Sequence, residues 1–74
     1  MTLELSRRGQ AEVALYDVIG RRVSTMFAGP LDAGRHELTW DRRDASGNRA
    51  AAGVYFARAV SGGATRTQRV VLTD

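Results

Sequence analysis

Side chains that could act as a general base or a nucleophile are few in this chain. His36 is the one histidine, and it alternates with Leu38 and Trp40, which favours a partly buried packing position. Ser46 and Ser61 lie in segments of turn composition, where serine commonly bonds the local backbone. No nucleophile stands beside a base in the sequence. These observations indicate a protein that is not an enzyme.

Oxygen-bearing side chains cluster at Asp41, Asp44, Ser46 and Asn48, with the short spacing that a calcium loop uses. The glycine precedes Asn48 instead of following it, and no bidentate glutamate comes at the twelfth position. Asx turns use the same residue types to bind backbone N–H groups. The chain has no cysteine, which excludes disulfides and thiolate metal sites. We expect no metal and no cofactor, with calcium at this loop as the alternative.

The basic residues are all arginine, eleven against eight acidic residues, for a net charge of +3. The pI of about 10.6 raises the question of nucleic-acid binding. No basic run exceeds two residues, and acidic neighbours accompany the arginines, as in the segment 41–44. We therefore expect a mixed surface that binds no nucleic acid. No apolar run is long enough to cross a membrane, and the first ten residues do not read as a signal peptide.

Glycine punctuates the chain near every tenth residue and separates short segments rich in β-branched and aromatic residues. This spacing predicts one all-β domain over residues 1–74, a sandwich of six to seven antiparallel strands. The predicted strands are 2–6, 12–17, 22–27, 35–40, 53–60 and 65–73. Residues 29–34 are predicted as a loop because Pro30 lacks an N–H group. Residues 41–53 are predicted to be irregular, and 61–64 to form a tight hairpin turn.

Alternation along the predicted strands assigns their faces. Val13 and Leu15 point inward in the second strand, whereas Ala14 points outward. Val23 and Met26 both reach the core only if the third strand carries a bulge.

Residues 49–60 leave two interpretations open, because their alanines favour a helix. A helix would enclose Gly53, whereas a strand that starts there places Tyr55, Ala57 and Ala59 on one face. We prefer the strand, since helix propensity is a weak prior.

The same strand would direct Val54 and Phe56 outward beside Arg58, which predicts an exposed apolar strip of the kind that binds partners. An open sandwich also has unpaired edge strands, which can pair with a partner strand or with another copy of the chain. Either surface suits a protein partner.

Four segments of the chain, in this order, resemble a known domain family. They are residues 15–23, 33–41, 43–49, and 52–56 with the closing 69–72. Together they are similar to the immunoglobulin-like domain shared by the flagellar hook-capping protein and the C-terminal sorting domain of type IX secretion cargo. The resemblance covers about residues 2–72. It implies a non-catalytic immunoglobulin-like β-sandwich, the C-terminal module of a longer exported bacterial protein that acts outside the cell or on its surface.

The resemblance also implies roles for individual residues. Partner recognition would fall on the start of the fifth predicted strand and the end of the last, at Gly53, Tyr55, Arg69, Val70 and Val71. The residues of the fold motif are Asp17, Gly20, Gly34, Trp40, Asp41, Asp44 and Gly47. The chain departs from the pattern at Arg42, where the family has glycine, and at Arg69, where the sorting domains have lysine.

Two functions follow from the resemblance. The first is sorting or anchoring, in which an outer-membrane secretion translocon recognises the domain. The second is structural assembly, in which a hook-cap-like domain binds a filament subunit or copies of itself. The four-part match and the last strand make sorting or anchoring the main prediction, with assembly as the alternative. The sequence shows neither a signal peptide nor the Pro-x-Asn-Pro segment that precedes the first strand in sorting domains, and these two departures favour the alternative.

Overall fold

Two antiparallel sheets make up the structure, a computed structural model that describes residues 1–73. Its six strands are β1 (Thr2–Leu5), β2 (Gly9–Tyr16), β3 (Arg22–Leu31), β4 (Gly34–Glu37), β5 (Gly53–Ser61) and β6 (Ala64–Leu72). Four strands form one sheet in the order β3-β2-β5-β6, and β1 pairs with β4 in the other. The predicted all-β sandwich is confirmed. Over the same residues, no helix has the length and apolar character that a membrane crossing requires.

The core lies between the inner face of the four-stranded sheet and the β1–β4 pair. Leu15 and Val13 are both 0% exposed, as their inward assignment predicted. Val13 belongs to a cluster with Leu3 of β1, and Leu15 belongs to a second cluster with Leu72 of β6. Burial of these side chains from both sheets is the main favourable contribution to folding.

Residues 53–61 form a strand, so the helical alternative is wrong. Tyr55, Ala57 and Ala59 are buried on one face at 8%, 1% and 2% exposure. The two residues of the following turn, Gly62 and Gly63, have φ of 56° and 80°. Two successive positive φ values define the type I′ turn that matches the twist of a hairpin.

Strand β3 is longer than the sequence predicted, and the predicted loop at 29–34 is wrong up to Leu31. Pro30 lies within β3 and pairs with Gln10. The strand is at the edge of its sheet, so the missing N–H of proline faces no neighbouring strand.

The predicted bulge in the third strand is confirmed, and there are two. Pairing with β2 steps from Phe27 to Thr25 and so skips Met26. A second step from Ser24 to Arg22 skips Val23. Each bulge turns an extra side chain toward the core, where both skipped residues pack against the Leu15 cluster.

Ala14 is buried, at 1% exposure, although it faces outward as predicted. It pairs with Arg58 of β5, whose guanidinium lies 5.7 Å from the centre of the Tyr16 ring. An alanine Cβ is short, and long side chains stacked around it exclude water. The alternation of residues identified the face on which Ala14 lies, but it could not predict that Arg58 and Tyr16 would shield that face from water.

Two further strand boundaries differ from the prediction by three residues, and several others differ by one. β2 begins at Gly9 instead of residue 12, and β4 ends at Glu37 instead of residue 40. Beyond β4 the chain stays close to the first residue, because the Leu38 N–H donates to the Met1 carbonyl at 2.8 Å. Met1 and Leu38 thus extend the β1–β4 pairing by one residue on each side.

Candidate protein-interaction surfaces

The β2–β3 turn is organised by Asp17, a predicted fold-motif residue. Its Oδ1 accepts the backbone N–H groups of Ile19 at 3.1 Å and Arg21 at 2.9 Å, and its Oδ2 lies 3.0 Å from the Arg21 Nε. The Arg21 backbone N–H is the largest cause of a lowered Asp17 pKa, and the guanidinium adds to it. Gly20 has φ of 86° in this turn, and Gly34 begins β4 opposite Leu5.

The loop around Asp44 uses its carboxylate for the backbone. Oδ1 of Asp44 accepts the N–H groups of Ser46 at 2.9 Å and Asn48 at 3.0 Å. Gly47 donates its N–H to the Asp44 carbonyl at 3.0 Å and has φ of 85°. These contacts form the Asx turn that the sequence offered as an explanation. Within residues 1–73, no three His, Asp or Glu side chains are grouped as a metal ion requires.

Trp40 fixes the irregular segment to the sheet. Its ring packs edge-on against Tyr55 with centroids 5.2 Å apart, and its Nε1 donates to the Arg43 carbonyl at 3.0 Å. Asp41 accepts the Arg43 N–H at 3.0 Å. The Tyr55 hydroxyl donates to the Ala51 carbonyl at 2.6 Å, so the ring is buried while its polar end is bonded.

The residues assigned to partner recognition by the resemblance meet at one end of the β5–β6 hairpin. Gly53 begins β5 opposite Leu72. Tyr55 and Val70 face the core and pack in the same cluster as Leu15. The exposed side chains of the set are Arg69 and Val71, with Val71 at 56% exposure. A partner could therefore contact these two side chains directly, whereas the others shape the backbone beneath them.

The predicted apolar strip is less exposed than expected. Val54 and Phe56 face outward but are half-buried. Their cross-strand neighbours on β6 are Val71 and Arg69, respectively, and these cover part of their surface. Val71 is exposed at this end of the sheet, and so are Val18 and Ile19 of the β2–β3 turn, at 69% and 70% exposure, which lie beside Val54.

A row of arginine and aromatic side chains crosses the outer face, and sequence reasoning missed it. Pairing aligns Arg22, Tyr16, Phe56 and Arg69 on the four successive strands. The Arg22 guanidinium lies 5.8 Å from the centre of the Tyr16 ring and 2.8 Å from a Glu12 carboxylate oxygen. The signal could not be read locally, because it depends on the register of four strands.

The two edges of the larger sheet differ in regularity. β3 carries two bulges and Pro30, which interrupt any further pairing. β6 has nine residues and pairs with β5 without a register shift, from Leu72 to Ala64. Its other side faces no strand within residues 1–73. β6 is therefore the edge best shaped for strand addition.

A cleft of about 220 Å³ lies beside β6, between the two sheets. Leu38 and Trp40 line one side of it, and Val70 and Leu72 of β6 line the other. Its floor includes the buried Leu15 with its neighbours Met1, Met26 and Ala57. Thr39, Arg42 and Gln68 also line it, so the cleft combines an apolar floor with polar groups.

Comparison with known proteins identifies the family. The model of the FlgD Ig-like domain matches residues 1–64, which include all of β1–β5. Searches of curated proteins and of solved structures found no match. The family model supports the hook-capping side of the resemblance, and it describes a structural domain. By this match over most of its length, the chain belongs to the FlgD Ig-like domain family.

Proposed function

We propose that the domain is a structural assembly module of a flagellar hook-cap-like protein, and that it binds another protein chain through the β6 edge. The observation that carries the proposal is the contrast between the interrupted β3 edge and the regular, open β6 edge. Unpaired strand edges bind other polypeptides by main-chain hydrogen bonds. Family membership supports the same role, because hook-capping proteins are exported and assemble with other proteins.

The domain organisation belongs to the same proposal. We propose that this sandwich is the C-terminal module of a longer exported bacterial protein and that it works outside the cell or at its surface. A module of this kind needs no catalytic centre. Its binding surface has to present backbone groups and side chains in a fixed geometry, as a packed sheet does.

A domain exchange tests the assembly role. The Ig-like domain of a flagellar hook-capping protein is replaced by residues 1–74, and completed hooks are counted by electron microscopy. The comparison strain carries the hook-capping protein without this domain. We expect the exchanged protein to restore hooks. A folded, exported exchange protein that leaves cells without hooks would contradict the assembly role.

A matched pair of variants tests the role of the edge. T67P removes an N–H group on the open side of β6, whereas T67V removes the hydroxyl and keeps the N–H. We expect T67P to lower the number of hooks and T67V to leave it unchanged. Equal hook counts for the two variants would mean that assembly does not use this edge.

Sorting is a second candidate function, favoured by the exposure of Arg69 and Val71 at the end of β6. These are residues that the resemblance assigns to recognition by a secretion translocon. A periplasmic reporter fused to residues 1–74 in a type IX-competent cell tests it. Export of the reporter that is lost in the variant R69Q and retained in the variant R35Q would support sorting. A reporter that stays in the periplasm would exclude sorting by this domain alone.

A further inference from the structure

We propose that the β6 edge and the cleft beside it form one binding site for an extended segment of another protein, a strand in which acidic and apolar residues alternate. The biological role of this site rests on the proposed function. The inference adds to that function the chemical character of the partner strand. Three features of the structure carry it: the phase of the unpaired backbone groups, the apolar cleft, and the charge of the hairpin.

The backbone phase follows from the turn. In a two-residue hairpin, the residues that flank the turn form a hydrogen-bonded pair, here Ser61 and Ala64. Bonded and non-bonded pairs then alternate along the strands, so the even-numbered residues of β6 bond to β5. The N–H and C=O groups that point to the open side belong to Thr65, Thr67, Arg69 and Val71. An added strand would find a regular row of donors and acceptors.

The cleft accounts for the preference for apolar residues in the partner strand. A strand paired with β6 points every second side chain toward the inner face, on the side of Val70 and Leu72. There the cleft continues to Leu38 and Trp40, with a volume of about 220 Å³. A dry cavity of roughly 150 Å³ can hold a benzene-sized group. The apolar part of the cleft, between Val70 and Trp40, can therefore take a large apolar side chain from the partner strand.

The positive charge of the β5–β6 hairpin accounts for the preference for acidic residues in the partner strand. Residues 53–72 contain three arginines, Arg58, Arg66 and Arg69, and no acidic residue. None of the three belongs to an ion pair within residues 1–73. Arg69 is exposed on the outer face, next to the inward Val70. A partner strand would therefore place a carboxylate near Arg69 and an apolar side chain at the adjacent inner position.

The same charges decide against a second copy of the chain as the occupant. Pairing β6 with β6 of another copy would bring two hairpins together, each with three arginines and no carboxylate. Like charges at close range are repulsive. A partner whose carboxylates lie on the outer face replaces the repulsion beside Arg69 with attraction.

The binding test uses synthetic peptides and the fluorescence of Trp40, the only tryptophan of the chain. The probe is the acetylated and amidated nonapeptide TEVELEVET. The first control peptide has lysine in place of each glutamate. The second has the composition of the probe but the order TTEEEEVVL, which cannot direct all three apolar side chains to one face. We expect saturable binding of the probe, with a blue shift of the Trp40 emission, and no such binding of either control.

Variants of the domain separate the backbone contribution from the charge contribution. T67P should weaken probe binding at least tenfold relative to T67V, because only the proline removes an edge N–H. R69Q should weaken it more than R35Q, a matched loss of one exposed arginine on β4. Circular dichroism of each variant verifies that it is folded.

Several results would overturn the proposal. Equal binding of the lysine or block-ordered peptide would refute the stated partner chemistry, and equal binding by T67P and T67V would refute strand addition. Sedimentation as a dimer that T67P dissociates would identify a second copy as the occupant. Failure of the hook exchange together with intact peptide binding would reject the assembly role and leave this site in place. Loss of peptide binding alone would reject the site and not the assembly role.

Discussion

Arg42 is the residue at which a single substitution should make the domain more stable. Its φ is 65°, and it is the one non-glycine residue with a positive φ within residues 1–73. A side chain in this left-handed region brings Cβ close to the following carbonyl oxygen. The resemblance places a glycine at this position, which has no Cβ and accepts the conformation freely. The substitution R42G should therefore remove strain.

The size of the effect is a difference between two contributions. The left-handed conformation costs an L-residue about 1–2 kcal/mol. Glycine gives the unfolded chain more conformational freedom, which costs about 0.4–1 kcal/mol of stability. The Arg42 carbonyl accepts the Ala50 N–H at 2.9 Å, and a glycine keeps this bond. The net gain should be about 0.5–1 kcal/mol, or roughly 2–8 °C in melting temperature for a domain of this size.

Urea unfolding followed by Trp40 fluorescence measures this gain in the free energy of unfolding. The control R42A also loses the guanidinium but keeps a Cβ at the same φ, so it should be no more stable than the unsubstituted chain. A second control, R43G, changes a neighbouring residue that has no positive φ. It also removes the hydrogen bond from the Arg43 guanidinium to the Gly47 carbonyl at 2.9 Å, so it should lower stability by at least about 0.5–1 kcal/mol. If R42A gains as much stability as R42G, the guanidinium and not the backbone conformation is responsible, and the strain argument fails.

Two further predictions concern the core and the acid side of the stability profile. L15A truncates a side chain that is 0% exposed and should lower the free energy of unfolding by about 3–5 kcal/mol in chemical unfolding. This loss is enough to unfold most molecules of a domain this small. The control V71A, at a residue 56% exposed, should change the free energy of unfolding by less than about 0.5 kcal/mol. D17N tests the lowered pKa of Asp17. A carboxylate with a depressed pKa stabilises the fold above its unfolded pKa of about 3.9. It loses this contribution as the pH falls through the lower pKa of the folded state. Thermal melts should show an advantage of the unsubstituted chain over D17N that is constant near neutral pH and shrinks below about pH 4; an advantage that stays constant into acid would contradict the assignment.

Features set by neighbouring residues could be predicted from the sequence. The Gly62-Gly63 turn, the alternation of β5 and the Asx turn at Asp44 each depend on a few consecutive residues. The bulge in the third strand could be predicted as well, because Val23 and Met26 are both apolar but do not share a face in a regular strand. In each case the local chemistry has one favourable solution.

Features that depend on the neighbour of a strand could not be predicted in this way. Pro30 indicated a loop, and its place in β3 is understandable only once β3 is known to be an edge strand. Ala14 is buried because Arg58 and Tyr16 come together from different strands. The alignment of Arg22 with the aromatic row likewise requires the full register. Sequence patterns predict which face of a strand each residue lies on. The order of strands in the sheet determines which side chains pack against that face.

The division between scaffold and binding edge suggests how partner choice could be changed in this domain. The family model matches residues 1–64, and β6 begins at Ala64. The matched region thus builds most of the core and one wall of the cleft, to which β6 adds Val70 and Leu72. In the proposed site, the outer edge of β6 supplies the groups that a partner meets first. Thr67 and Arg69 are exposed, so their substitution costs little stability. Partner specificity can therefore be altered at these two positions without rebuilding the sandwich that holds them.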